Sequence, residues 1–251
     1  MGFDVAADAY DRYMGRYSAL LSPQLADFAG VRAGQRVLDV GCGPGALTTE
    51  LVARVGARAV SAVDPSEPFV AAARERHPGI EVFQASAEQL PFPALTFDAT
   101  LAQLVVHFMT DANRGLGEMA RVTRRDGVVA ACVWDHVGQG PLSLFWRAAR
   151  TLEPEVDLES RLPGVREGHL AELFEAAGIR EIEDAVFWIS LEHATFEAWW
   201  EPFTKGVGPA GSWVASLSAD RVVELRETAR AMVATTPFQV SARAWAARGL
   251  A

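Results

Sequence analysis

The stretch VLDVGCGPGALT, Val37 to Thr48, decides the fold. Val37, Leu38 and Val40 read as a buried strand, GCGPG ends it abruptly, and Leu47, Leu51 and Val55 then recur at helical spacing over 46–55. Glycines permit positive φ and let a ligand approach the backbone with no Cβ in the way. The first turn of the helix that follows offers unpaired N–H groups. A strand, a glycine-rich turn and a helix in this order hint at a nucleotide cofactor, and the hint alone is not specific.

Working outward, short β-rich runs alternate with helical stretches. Strands are expected at 36–41, 57–64, 80–85, 97–104 and 127–134, and helices at 66–77 and 111–123, the first opened by Ser66 and the second capped by Asp111. Such alternation means βαβ units, right-handed crossovers and a parallel sheet, hence a doubly wound α/β domain. The strands are continuous apolar runs, as expected when helices cover both faces. Beyond Trp134 the sequence predicts a helix over 165–179 ending at Gly178, a strand over 180–192, helical segments within 195–235 and a final strand over 238–250. All seven tryptophans lie from Trp134 to Trp245, which suits an aromatic layer over the sheet edge or simply core.

Composition narrows the class. The 251 residues carry a net charge of −9, with 50% hydrophobic and 22% charged side chains, which excludes a mainly disordered chain, a collagen-like repeat and a coiled coil. An acidic chain is a poor neutraliser of phosphates, so nucleic acid is not expected as a partner. The one tight basic run, Arg121, Arg124 and Arg125, reads as the end of a helix complementing its dipole. Two cysteines, Cys42 and Cys132, make neither a disulfide framework nor a zinc set, and no metal site is expected. The N-terminal residues show no signal-peptide pattern, and the longest apolar strip, Val128–Trp134, is far shorter than the ~20 residues of a membrane span. A cytoplasmic protein without membrane insertion, monomeric or homodimeric, is the expectation.

The spacing sharpens the cofactor reading. A dinucleotide fingerprint runs G-x-G-x-x-G around a pyrophosphate, whereas here the glycines run G-x-G-x-G and Asp39 sits two residues ahead of Gly41. A carboxylate there repels a pyrophosphate and favours an ammonium or sulfonium. DVGCGPG, followed by the acid Asp64 at the end of the second strand, resembles class I S-adenosylmethionine-dependent methyltransferases. Within them it resembles the small-molecule branch of ubiquinone/menaquinone-biosynthesis methyltransferases, over roughly residues 5–135 and more loosely at SARAWAARG, 241–249. The expected fold is then a Rossmann-like, mostly parallel seven-stranded sheet with the last strand antiparallel, helices on both faces and a C-terminal helical cap insertion. One domain, 1–251, is expected, with N-terminal lid helices at 1–30 and a cofactor core at 31–135. Cap insertions are expected at 136–165 and 195–235, and the rest of the sheet at 166–194 and 236–251.

The resemblance also implies site residues. Asp39, Gly41, Cys42, Gly43 and Gly45 wrap the methionine end of S-adenosyl-L-methionine, and Asp64 accepts both ribose hydroxyls. Pro65 and Phe69 pack beside adenine or ribose. QASAEQLPF, 84–92, resembles the family's G-D-A-x-x-L-P-F, with Ser86 where the family has an acid for the adenine amino group. Ala87 follows it, and Glu88 is a possible substitute. Ala102 and Gln103 face the methionine moiety, while Tyr10 and Arg16 close over the cofactor, Arg16 on its carboxylate. Tyr13 and Tyr17 are possible replacements.

Methyl transfer from a sulfonium needs the reactants held in line and water excluded, and an oxygen or nitrogen acceptor can also need a base. His107, in LVVHFM, is the candidate, against a structural histidine before the helix that Asp111 caps. Asp135 and His136 follow the fifth strand and read as solvated loop residues more than as substrate contacts. His77 reads as a helix end, Cys42 as a small packed residue, and His169 and His193 lie outside the cofactor motifs. The acidic balance and aromatic C-terminal part favour a small, largely apolar acceptor, with S-adenosyl-L-homocysteine as product. Two rivals remain: a non-catalytic cofactor-binding module, which Ser86 favours, and a nicotinamide-dependent oxidoreductase, which the missing Tyr-x-x-x-Lys pair disfavours.

Overall fold

Every residue of β1 (Val37–Val40) is buried, because helices cover both faces of the sheet to which it belongs. The computed structural model describes residues 7–251; positions 1–6 of the expected lid lie outside the described residues. The other strands are β2 (Val60–Asp64), β3 (Glu81–Gln84), β4 (Phe97–Gln103), β5 (Thr123–Trp134), β6 (Arg180–His193) and β7 (Phe238–Leu250). They form one seven-stranded sheet in the order β3-β2-β1-β4-β5-β7-β6. Pairs up to β4·β5 are parallel, and β7 runs antiparallel to both β5 and β6. The sheet and its antiparallel last strand agree with the sequence expectation.

The helices are α1 (Ala7–Tyr10), α2 (Arg16–Phe28), α3 (Ala46–Val55), α4 (Glu67–Arg76), α5 (Ala112–Val122), α6 (Ser143–Leu152), α7 (His169–Ala176), α8 (Phe196–Trp200), α9 (Gly208–Ser216) and α10 (Ala219–Ala231). A π-helical turn, Asp11–Gly15, joins α1 to α2. Alternation along each strand divides the core. Val37, Leu101, Ala130 and Cys132 pack with α2 and α3, whereas Leu38, Ala102, Val129 and Ala131 pack with Leu116 and Met119 of α5 and Phe174 of α7. Asp111 caps α5 by accepting the N–H of Arg114, and Gly178, at φ +81°, follows the end of α7.

Two expectations need correction. The helix expected from residue 165 starts at His169. Arg124 and Arg125 belong to β5, not to a helix end; Arg124 pairs with Asp98 at 2.6 Å, while Arg121 bridges Glu118 and the carbonyls of Leu90 and Phe92. The β5 ladder captures these residues because Thr123 pairs with Phe97 across a bulge.

The tryptophans divide between core and surface. Trp199 and Trp146 are buried, and Trp188 stands 49% exposed on β6. Phe145 of α6, fully buried, stacks on Phe203 with centroids 4.5 Å apart, and Phe203 meets Tyr13 of the N-terminal segment edge-on at 5.7 Å. The aromatic layer is therefore core shared by α6, Phe203 and the N-terminal segment. Phe145→Ala should destabilise the protein by roughly 3–5 kcal/mol, read from the urea midpoint, because a dense cluster cannot collapse around the void.

Candidate active site

The glycine turn is held from two sides. The N–H groups of Gly41 and Cys42 both donate to the carbonyl of Val63, at 2.8 and 2.9 Å, and Gly43 N–H donates to Oδ2 of Asp64 at 2.8 Å. Gly41 has φ +71°, and a Cβ there would lie 2.4 Å from Cγ2 of Val105, so only glycine fits. Gly45, at φ +101°, begins α3 with no side-chain cap. At Gly43 a Cβ would meet nothing within 4 Å, which leaves the crest of the turn open to a ligand. The other oxygen of Asp64 accepts Ser66 N–H at 2.9 Å, and each oxygen retains capacity for a further donor. Burial raises the pKa of Asp64, opposed by those two N–H groups.

Asp39 is buried and accepts the Thr48 hydroxyl at 2.6 Å. Burial pushes its pKa up to about 7, against the Thr48 bond and with help from Asp64. Cys42 is buried, and its thiol is pushed well above its ordinary range by burial and by the nearby Asp39 and Asp64, so it stays protonated. His77 ends α4, as its sequence suggests, but its ring also props the turn: Nε2 lies 3.1 Å from Thr49 Oγ1 and 3.3 Å from the Gly45 carbonyl. No sequence motif pointed to that contact.

The N-terminal segment closes the turn from above. Tyr10, Asp11, Ser18 and Gln103 join Asp39, Gly41, Cys42 and Gly43 around a cavity of about 30 Å³. Tyr10 packs on Phe69 at 5.2 Å, and its pKa is pushed up to about 12, chiefly by burial. Gln103 donates to the Ser18 carbonyl at 3.1 Å. Outer anchors are the Asp11–Arg76 ion pair at 2.6 Å and the Tyr17–His193 hydrogen bond at 2.8 Å.

Several expected contacts are placed elsewhere. Arg16 donates to the Ala198 carbonyl at 3.3 Å and lines a neighbouring groove with Ala46 and Thr49 instead of the cavity at the turn. Glu88 Oε1 accepts Thr110 N–H at 2.7 Å, which anchors the start of α5. Ala102 turns its methyl into the α5 side of the sheet because its neighbour Gln103 takes the opposite face. Ala87 is likewise buried in that core and offers only backbone. Ser86 is half-buried just beyond β3, and Pro65 is exposed beside Asp64.

Behind Tyr10 lies a second cavity of about 30 Å³, lined by Tyr10, Tyr13, His107, Phe108, Trp134, His136 and Glu159 among others. His107 is 4% exposed and its ring centroid is 5.3 Å from that of His136. Burial, then His136, holds its pKa well below the ordinary value, so it is a neutral ring. His136 is also lowered by burial, with Glu159 and Asp135 opposing. Neither His136 nor Asp135 is a solvated loop residue. Asp135 is buried, binds Arg243 at 2.6 Å and accepts the N–H groups of Val137, Gly138 and Gln139. Burial alone would raise its pKa; those N–H groups and Arg243 carry it below the usual value. Glu159 was not foreseen, since a lone acid in a loop carries no periodic or motif signal. His169 accepts Gly164 N–H at 3.2 Å, away from both cavities.

Comparison with known proteins agrees with this architecture. A family model described as a methyltransferase domain matches residues 38–131. The chain is 32% identical over 145 residues to a malonyl-[acyl-carrier protein] O-methyltransferase of Erwinia billingiae, covering 58% of this chain and 57% of that protein. It is 35% identical over 151 residues to a phosphatidylethanolamine N-methyltransferase of Cereibacter sphaeroides, covering 57% of this chain and 72% of that one. The aligned segment thus spans a little over half the length of the first of these relatives. The crystal structure of a methyltransferase-like protein of Bacillus halodurans superposes with a TM-score of 0.60 at 17% identity, over 91% of this chain and 97% of that one, which shows the shared fold.

The buried Asp39 makes binding pH-dependent. A cation placed beside it favours the carboxylate, so an ammonium- or sulfonium-bearing ligand should bind more tightly as pH rises from about 5 through about 7, releasing a proton. Folding has the opposite sign: the folded pKa lies above the unfolded one, so stability present below about pH 4 is lost as pH climbs through about 7, at ~1.36 kcal/mol per unit. Asp39→Asn should flatten both dependences, measured by calorimetry in two buffers and by urea titration from pH 4 to 8.

Proposed function

The chain belongs to the class I S-adenosylmethionine-dependent methyltransferases, and from that premise we propose that it methylates a small, largely apolar acceptor held beneath its N-terminal segment. One observation carries the reading: Tyr10 walls both the cavity at the glycine turn and the cavity of His107 and His136. Two cavities that share one ring as their wall become one space when that ring moves aside, and an in-line displacement requires donor and acceptor in direct contact.

The residues fit the cofactor. No Cβ stands in the way at Gly43, the turn from Asp39 to Gly45 takes the methionine end once the N-terminal segment is displaced, and Asp64 has spare acceptor capacity for ribose hydroxyls. Phe69 and Pro65 flank the nucleoside, with Ser86 and the backbone of Ala87 at the adenine edge. When bound, the cofactor supplies an electrophilic methyl group on sulfur and leaves as the thioether S-adenosylhomocysteine. The chain orients the two partners and excludes water with Tyr10, Tyr13, Phe108 and Trp134. His107, neutral and buried, faces the acceptor and can accept a proton from it.

The lid at 1–30 and the cap insertions at 136–165 and 195–235 would give the acceptor its enclosure; Glu159, Gly208 and Pro209 already line its cavity. Among the described residues no helix is long and apolar enough to cross a membrane.

Calorimetric titration with S-adenosylmethionine, S-adenosylhomocysteine and NAD⁺ tests the proposal. Micromolar binding of the two sulfur compounds, about −8 kcal/mol, and none of NAD⁺ is expected. Asp64→Ala should weaken both by about 1.5–3 kcal/mol, the worth of hydrogen bonds to a charged group. Silence from both sulfur ligands would leave the binding turn as structure only and overturn the reading.

A further inference from the structure

A groove of about 660 Å³ lies between the loop after β5, the first turns of α6, the loop after α10 and the start of β7. It shares no lining residue with the cavity at the glycine turn or with that of His107 and His136. Its volume falls within the ~300–1,000 Å³ of a small-molecule site. Ser143, Leu144 and Arg147 of α6 face it, while Phe145, Ala148 and Ala149 turn into the core. The chain carries a net charge of −9, yet no aspartate or glutamate is among the described residues that line this groove. Two arginines are, Arg147 and Arg243.

Arg243 is held in one orientation. Its Nε and Nη2 both donate to Oδ2 of Asp135, at 2.9 and 2.6 Å, and its guanidinium lies 4.4 Å from the ring centroid of Trp245 and 5.6 Å from that of Trp188. Its backbone N–H donates to the Gln139 carbonyl at 2.7 Å. Gly138 permits this closeness, since a Cβ there would lie 2.6 Å from Asp135 Oδ2 and 2.9 Å from Arg243 Nη2. Asp135 is buried, matched by Arg243 and by the N–H groups of Val137, Gly138 and Gln139, and does not line the groove. It balances the charge of Arg243 but leaves Nη1 without a partner among the described residues, as an oriented donor. Arg147 supplies the charge that nothing balances: it is exposed and makes no ion pair or hydrogen bond among the described residues. Leu144, Met232, Val233 and Phe238 give the same groove an apolar wall.

We propose that this groove is a second ligand site, for a small amphipathic anion: a carboxylate or phosphate head taken by Arg243 and Arg147, with an aliphatic body along the wall. It lies outside the methyl-transfer reading and does not depend on it. A guanidinium offers N–H groups in the plane that two oxygens of such a head can use together, which a single hydroxyl cannot. A charge pair exposed to water contributes little by itself. Arg243, its side chain 30% exposed and its orientation already set, loses little freedom on binding, and the apolar wall adds burial of the body. A cationic head would meet Arg147 with no acid lining the groove to offset it.

The test is calorimetric titration of the full chain with hexanoate, octanoate, octyl phosphate, octanol and octylammonium. The better of octanoate and octyl phosphate should bind about tenfold or more tightly than octanol or octylammonium, and the comparison of the two anions tells which head the groove takes. From hexanoate to octanoate the affinity should rise about two- to fourfold per methylene, as burial of an aliphatic chain requires. Arg147→Glu should weaken the anion about tenfold or more with circular dichroism unchanged, and Arg147→Lys should restore part of the loss. Ala234→Trp, which puts an indole into the groove, should abolish binding. Should Arg147→Glu fail to fold, Ala234→Trp and the wild-type series decide. Anions that bind no more tightly than octanol, or that bind Arg147→Glu and Ala234→Trp as tightly as the wild type, would overturn the proposal.

Discussion

The carboxylate of Asp64, holding Gly43 N–H on one oxygen and Ser66 N–H on the other, is the interaction on which the site depends. It ties the turn after β1 to the turn after β2, so the C-terminal ends of two parallel strands act as one rigid lip. An α/β sheet carries its ligand crevice along that edge, and here the crevice is shaped by a charged hydrogen bond instead of apolar packing. The close approach of Gly41 to Val105 adds the end of β4 to the same lip. From this lip the positions of Asp39, Gln103 and His107 follow, since each lies at or just beyond a strand end.

Against the lip sits a segment held mainly by aromatic contact. Tyr10 on Phe69, Tyr13 on Phe203 and Tyr17 on His193 fasten the N-terminal helices to the cofactor side, the cap and the end of β6 in turn. Each cavity beneath is about 30 Å³, an order of magnitude below the ~300–1,000 Å³ of a typical small-molecule site. Ligands must therefore displace this segment to enter. Its outer ion pair, Asp11–Arg76, is partly exposed and worth no more than about 1 kcal/mol, so the resistance to opening lies in the aromatic contacts. Tyr10, one of these rings, is a wall that the two cavities share.

The cavity of His107 and His136 differs from the one at the glycine turn in how many polar side-chain atoms it leaves unmatched. At the glycine turn the N–H groups of Gly41, Cys42 and Gly43 are matched by Val63 and Asp64, while Gln103 Oε1 is buried on the same cavity without a partner among the described residues. In the neighbouring cavity, Tyr13 Oη, His107 Nδ1, Trp134 Nε1 and His136 Nε2 are buried without a partner among the described residues. A fold can fix its cofactor by main-chain geometry, which many sequences share, and reserve its side chains for the acceptor, which differs from protein to protein.

By itself the sequence determined the alternation of strands and helices, the bounds of α3 and β7, and the acid–glycine pattern that identifies the cofactor, because all of these are local: periodicity, caps and turns act within a few residues. It also determined which strand ends carry the candidate residues. Only the tertiary structure decided which face a side chain takes and what meets it there. Ala102 and Ala87 turn into the core, Glu88 is used on the α5 turn, and Arg124 is drawn into β5, since each outcome depends on a partner distant in sequence. Most of all, it brought Glu159 and Trp146 behind His136. A buried carboxylate is stabilised by donors that approach through space, and no spacing along the chain records that approach.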